Sequence, residues 1–136
     1  MKKESDLNRK FRLAVKRWSS DAGSGFFYSR VENTLSGGFP DTLFSAGRLV
    51  LCELKVAGPN AKPDMRPGQP GFGYSVLSSG QPSFILIGHP DGSCRLLWGD
   101  CVGDDWRDRL ISRFDDVCPL VVDVMGSIDV SESGLS

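Results

Sequence analysis

The sequence predicts an α/β fold, a central mixed β-sheet flanked by helices, built as one domain. Three observations carry this. A segment near the N-terminus repeats apolar residues at helical spacing. Residues 48–56 are apolar on both faces, as in a central strand covered on both sides. Between and after these lie short hairpin-like pairs separated by glycine and proline turns. With 136 residues, 40% of them hydrophobic, the chain can bury roughly two-thirds of its unfolded surface in one core. We assign the domain to residues 1–126 and read 127–136 as a polar, flexible tail.

In chain order, residues 4–18 read as a helix, with Leu7, Phe11, Ala14, Val15 and Trp18 on one side. Ser5 or Asp6 would cap its start. Residues 19–25 (SSDAGSG) read as a turn, and 26–31 as a short strand or an ordered approach to Glu32. Residues 33–38 read as a flexible connection. Residues 41–45 begin a strand, Ala46-Gly47 turns the chain, and 48–56 returns as the hairpin partner. Leu49, Leu51, Glu53 and Lys55 share one face of that strand, and Val50, Cys52, Leu54 and Val56 the other.

Residues 57–71 hold four prolines and three glycines and read as a loop. A short helix over 69–77 is weakened by Pro70, Gly71 and Gly73. Residues 82–88 and 93–98 form a strand pair around a Pro90-Asp91-Gly92 turn. Residues 103–114 read as a helix with Trp106, Leu110, Ile111 and Phe114 on one side, and 119–124 as a last short strand.

Several classes are disfavoured. No run approaches the ~18 apolar residues of a membrane span. No apolar stretch follows the N-terminal charges as a secretory signal requires, which predicts a cytoplasmic location. Cys52, Cys94, Cys101 and Cys118 form no CxxC, and His89, the sole histidine, precedes a turn and reads as a surface residue. A zinc site is therefore not expected, and the cysteines are expected reduced, with Cys52 in the core. Net charge is −1, but unevenly placed. Residues 1–66 carry twelve Lys and Arg against seven Asp and Glu, a balance of +5, and residues 67–136 carry four against ten, a balance of −6. The basic half suits a nucleic-acid face. Its candidate phosphate contacts are Arg9, Lys10, Arg12, Lys16 and Arg17 on the first helix, with Arg30, Lys62 and Arg66 beyond it.

The chemistry concentrates in Pro40-Asp41, then, after eleven residues, Glu53-Leu54-Lys55. Asp41 at the start of one strand and Glu53 near the end of its neighbour can converge on one divalent ion, and Lys55 lies on the face of Glu53. Such an ion offsets the charge of a phosphodiester under attack. Magnesium favours these oxygen donors, and the backbone carbonyl of Leu54 is a further candidate. Lys55 would position water or stabilise phosphate charge, since neighbouring carboxylates disfavour the neutral amine a general base needs.

With Arg30-Val31-Glu32-Asn33 and Gly38-Phe39 before it and Arg66-Pro67-Gly68-Gln69 after it, this arrangement resembles the PD-(D/E)xK nuclease superfamily. Its layout is similar to small stand-alone phage nucleases near the VRR-NUC and Holliday-junction-resolvase branches. The resemblance covers residues 30 to about 88. It implies a restriction-endonuclease-like core and a metal-dependent DNA endonuclease, structure-selective in the manner of a junction resolvase. Asp41 and Glu53 match the metal ligands, Lys55 the catalytic lysine, and Glu32 the upstream carboxylate of the site. Gln69 matches a polar residue that follows the core in related families. The cofactor implied is Mg2+, with Mn2+ able to substitute. The implied partners are DNA, branched DNA included, and a second copy of the chain in a homodimer. For a chain of phage origin the location is the host cytoplasm. The segment that names the VRR-NUC branch is replaced here by Gly-Gln-Pro-Gly-Phe-Gly. The alternative is a non-catalytic nucleic-acid-binding protein on a nuclease-like fold.

Overall fold

The computed structural model describes residues 3–31, 41–58, 69–99 and 110–133, with backbone alone for 69–73, 110 and 126–133. Among these described residues, six strands form one mixed sheet in the order in which they occur along the chain. They are β1 (Tyr28–Arg30), β2 (Thr42–Ser45), β3 (Leu49–Val56), β4 (Ser83–Gly88), β5 (Cys94–Trp98) and β6 (Leu110–Ile111). Every neighbouring pair is antiparallel except β3 and β4, which run parallel. A parallel step needs a crossover, and α2 (Gln69–Ser78) lies within it. The α/β class and the central mixed sheet are as the sequence predicts.

Helix α1 (Glu4–Ala22) buries Leu7, Phe11, Ala14 and Val15, the residues its period selects. It runs past residue 18, through the stretch expected as a turn. It stops at Gly23, whose φ of 66° places its amide against the Ser19 and Ser20 carbonyls. That left-handed C-terminal residue suits glycine and satisfies end carbonyls. Lys3 stands at the N-cap without a side-chain hydrogen bond, in place of Ser5 or Asp6.

Strand β3 is flanked by β2 and β4, but only one of its faces is covered throughout; on the other, Glu53 is buried whereas Leu49 is exposed. Val50, Cys52 and Leu54 enter the main core with Phe11, Phe44, Phe84 and Leu86. On the opposite face, Ile85, Ile87 and Leu97 form a smaller cluster with Ala57. The Phe11 ring meets Phe44 edge-on at 4.9 Å, a favourable aromatic geometry. Trp98 stacks on Phe84 at 5.0 Å and packs against the main core.

The C-terminal part differs from expectation. Residues 110–111 form β6 and Phe114–Asp116 a 3-10 turn, where the end of a helix was expected; 103–109 lie outside the described residues. The segment read as a last strand is inside α3 (Val117–Ser133), which also extends into the stretch expected as a polar tail. Val117, Cys118, Val121 and Met125 are buried at helical spacing. Pro119 is tolerated because it lies in the first turn, where the amide has no intrahelical partner. Helix α2 forms despite Pro70, Gly71 and Gly73, its proline likewise in the first turn.

Candidate active site

The β2–β3 ladder sets the geometry. Its last pair is Thr42 with Cys52, so Asp41 comes one step before β2 and lies opposite Glu53. Residues 50, 52 and 54 direct their backbone groups toward β2, since Leu51 donates to Pro82 on the β4 side. The Leu54 amide is one of these groups. It donates to Asp41 Oδ1 at 3.1 Å. The Leu54 carbonyl lies on the same side of the strand, at this end of the sheet. Thr42 Oγ1 donates to the same carboxylate oxygen at 2.8 Å.

Glu53 is 6% exposed. Its Oε2 lies 3.7 Å from Lys55 Nζ, and both side chains stand on the face away from the main core. Burying that carboxylate is costly unless charge or hydrogen bonds compensate, and Lys55 supplies one such charge. Asp41, Glu53, Lys55 and the Leu54 backbone are thus brought together as the sequence reading expects.

One participant was not foreseen. Glu4, at the N-terminus of α1, reaches the same place. Arg30 Nη2 lies 3.3 Å from Glu4 Oε1 and 3.3 Å from Asp41 Oδ2. Burial is the largest influence raising the Asp41 carboxyl above its usual range, and the charge of Glu53 adds to it. Glu4 is also raised, by desolvation first and then by its hydrogen bond and repulsion with Asp41. Asp41 thus raises Glu4 and Glu53 raises Asp41, while the hydrogen bond from Glu4 partly offsets the rise at Asp41, which marks a place where negative charge is concentrated. No local motif signals Glu4, because only tertiary folding brings the first helical turn to the end of β2.

The remaining site candidates distribute differently. Glu32, Lys62 and Arg66 lie outside the described residues, as does the Gln69 side chain, whose backbone begins α2. Arg30, read as a phosphate contact, is a neighbour of the carboxylates. On α1, Arg17 Nε and Nη2 donate to Asp115 Oδ1 at 2.9 and 2.7 Å, tying the helix to the 3-10 turn. Arg9 lies 3.5 Å from Asp6. Arg12 sits over the exposed Phe26 ring at 5.3 Å, a cation–π arrangement. Lys10 and Lys16 are exposed.

His89 is corrected. It is fully buried, with Nδ1 2.8 Å from the Ala57 carbonyl and Nε2 3.1 Å from Arg95 Nη1. That pair of partners fixes a neutral ring, with Nδ1–H donating and Nε2 accepting. Cys52, Cys94 and Cys118 are free and buried. Burial pushes the Cys94 and Cys118 thiols up to about 12 and holds Cys52 well above the usual thiol range, so all three are poor nucleophiles.

No family model matches the chain. No curated protein matches it in sequence either. The chemistry of the site must therefore be judged on its own groups. Among the described residues, no group of three or more His, Cys, Asp or Glu side chains is arranged to hold a metal ion. The donors at this end of the sheet are nonetheless carboxylate and carbonyl oxygens, the class that Mg2+ and Mn2+ accept. Their crowding is what a cation would relieve. At Asp41, Oδ2 would have to exchange Arg30 for that cation.

Proposed function

We propose that this protein is a metal-dependent DNA endonuclease with a restriction-endonuclease-like core, hydrolysing phosphodiester bonds at the Asp41–Glu53–Lys55 end of the sheet. The observation that carries the reading is the opposition of Asp41 and Glu53 across β2 and β3, with Lys55 3.7 Å from Glu53. Two carboxylates and an ammonium at one strand end are the groups that phosphodiester hydrolysis needs. Asp41 and Glu53 would hold Mg2+ or Mn2+, with the Leu54 carbonyl as a further donor and Glu4 or Glu32 completing the set. When bound, the ion supplies Lewis-acid stabilisation of phosphate charge and a more acidic water. Lys55 lies beside Glu53 and serves as a positive charge toward the phosphate and the attacking water. Arg12 and Lys16 provide backbone contacts along α1. Recognition by structure or backbone, cutting as a homodimer, follows the resemblance to the junction-resolvase branch.

A specific observation favours the alternative, a nucleic-acid-binding protein without catalysis. Arg30 and Lys55 already lie against the acidic groups, and the described residues hold no three-ligand metal cluster. One experiment separates the two. Labelled four-way junction, flap, linear duplex and single-stranded DNA are incubated with purified protein in Mg2+, Mn2+ or EDTA, beside Glu53→Ala. Cleavage that requires metal and disappears in the variant is the expected result. Absence of cleavage by folded protein on every substrate, with DNA affinity intact in EDTA, would establish the binding protein instead.

A further inference from the structure

Arg30 stands between two acidic groups from different elements. One nitrogen, Nη2, lies 3.3 Å from both Glu4 Oε1 and Asp41 Oδ2, joining the first turn of α1 to the start of β2. The backbone fixes this placement. Arg30 pairs with Thr42 in the β1–β2 ladder, and the Val31 amide donates to the Asp41 carbonyl at 2.7 Å. The two Asp41 oxygens are therefore unequal. Oδ1 is engaged by the Leu54 amide and the Thr42 hydroxyl, both short-tethered to the sheet. Oδ2 faces a guanidinium at the end of a long side chain that is 35% exposed.

We propose that Arg30 is a resident counter-cation that a divalent ion displaces from Asp41 Oδ2, so that it sets the metal affinity of the site. This rests on reading the carboxylate end of the sheet as a metal site. Before the ion enters, Arg30 offsets the repulsion between Glu4 and Asp41. Once displaced, its guanidinium remains at the edge of the site and is free to pair with a substrate phosphate, for which its planar donor fork is suited. Arg30 is a positioning and competing group. The price of this preorganisation is weaker metal binding, because the ion must replace an existing ion pair.

The test is calorimetric titration of Mn2+ into metal-free wild type, Arg30→Gln and Arg30→Lys, together with NMR of the wild-type Arg30 Nε–Hε signal during Mg2+ addition. Exposed ion pairs are weak, so the expected gain in Mn2+ affinity for Arg30→Gln is roughly two- to fivefold. Arg30→Lys, which keeps the charge, should stay within about twofold of wild type on the same grounds. The Arg30 signal should shift as Mg2+ binds. Metal binding to wild type with an unmoved Arg30 signal, or with equal or weaker affinity in folded Arg30→Gln, would overturn the proposal. If Arg30→Gln does not fold, the wild-type NMR titration decides alone. Folded wild type that binds neither ion would sink the metal-site reading itself, and this inference with it.

Discussion

Asp41 caps the Leu54 amide at 3.1 Å, and in doing so ties the acidic group to the backbone between Glu53 and Lys55. The carboxylate is thus a structural acceptor as well as a candidate ligand, and the two roles can be separated. Asp41→Asn retains an Oδ1 acceptor and should unfold at nearly the wild-type denaturant midpoint. Asp41→Ala leaves the Leu54 amide and Thr42 hydroxyl without this partner, which should cost about 1–3 kcal/mol. Both should abolish cleavage. Guanidinium unfolding curves beside the cleavage assay check the pair. Equal stability of the two variants would contradict the capping role.

The pH dependence of stability follows from Asp41 and Glu4, whose folded pKa values are both raised above the ordinary 3.8 and 4.5. Between the unfolded and folded values the native state binds more protons than the unfolded chain, so stability falls as pH rises through that window. Asp115 acts in the opposite sense. Its pKa is lowered by the hydrogen bond from Arg17, and its small contribution is lost only as pH falls below about 4. In EDTA, the urea midpoint should therefore decline as pH rises above the ordinary carboxylate range, and Asp41→Asn should flatten the decline. An identical slope in the variant would place the effect elsewhere.

Lys55 discriminates between charge and proton transfer. As a fixed positive charge beside Glu53, it should be replaceable by arginine. Lys55→Arg should keep the cleavage rate within about tenfold of wild type, while Lys55→Ala loses about a hundredfold or more, as for removal of a donor to developing charge. Single-turnover rates at saturating metal make the comparison. Equal losses in the two variants would favour a general base.

The basic residues of α1 should not contribute equally to DNA affinity. Arg12 and Lys16 are exposed, whereas Arg17 is engaged with Asp115. Arg12→Ala with Lys16→Ala should weaken binding and lower the salt dependence by about two phosphate contacts. Arg17→Ala should chiefly cost a few tenths of a kcal/mol in stability. Fluorescence anisotropy at several salt concentrations distinguishes them.

The legibility of the chain followed the locality of its determinants. Strand β3 was readable because both faces are apolar over consecutive residues, and its turn because Gly47 adopts a φ of 81°. Asp41, Glu53 and Lys55 fall together because one hairpin register relates them. Glu4 was illegible, since its approach to Asp41 depends on how α1 docks. Residues 119–124 misled because Val121 and Val122 favour a strand locally, while burial at Val117, Val121 and Met125 favours a helix. The competing signal was the four-residue spacing together with proline in the first turn. His89 misled because an adjacent turn suggests exposure, yet the Ala57 carbonyl and Arg95 satisfy both ring nitrogens in the interior.

The strand order has a consequence for how the molecule assembles. Each strand lies beside the one made just before it, so no strand must be threaded between two already in place. Loop closures are short at the β2–β3 and β4–β5 hairpins and longest at the α2 crossover. Glu4 belongs to α1, Arg30 to β1, Glu53 and Lys55 to β3, and Asp41 immediately precedes β2. During synthesis the acidic end of the sheet can take shape before β4 to β6 leave the ribosome, and their arrival then seals the other edge of β3.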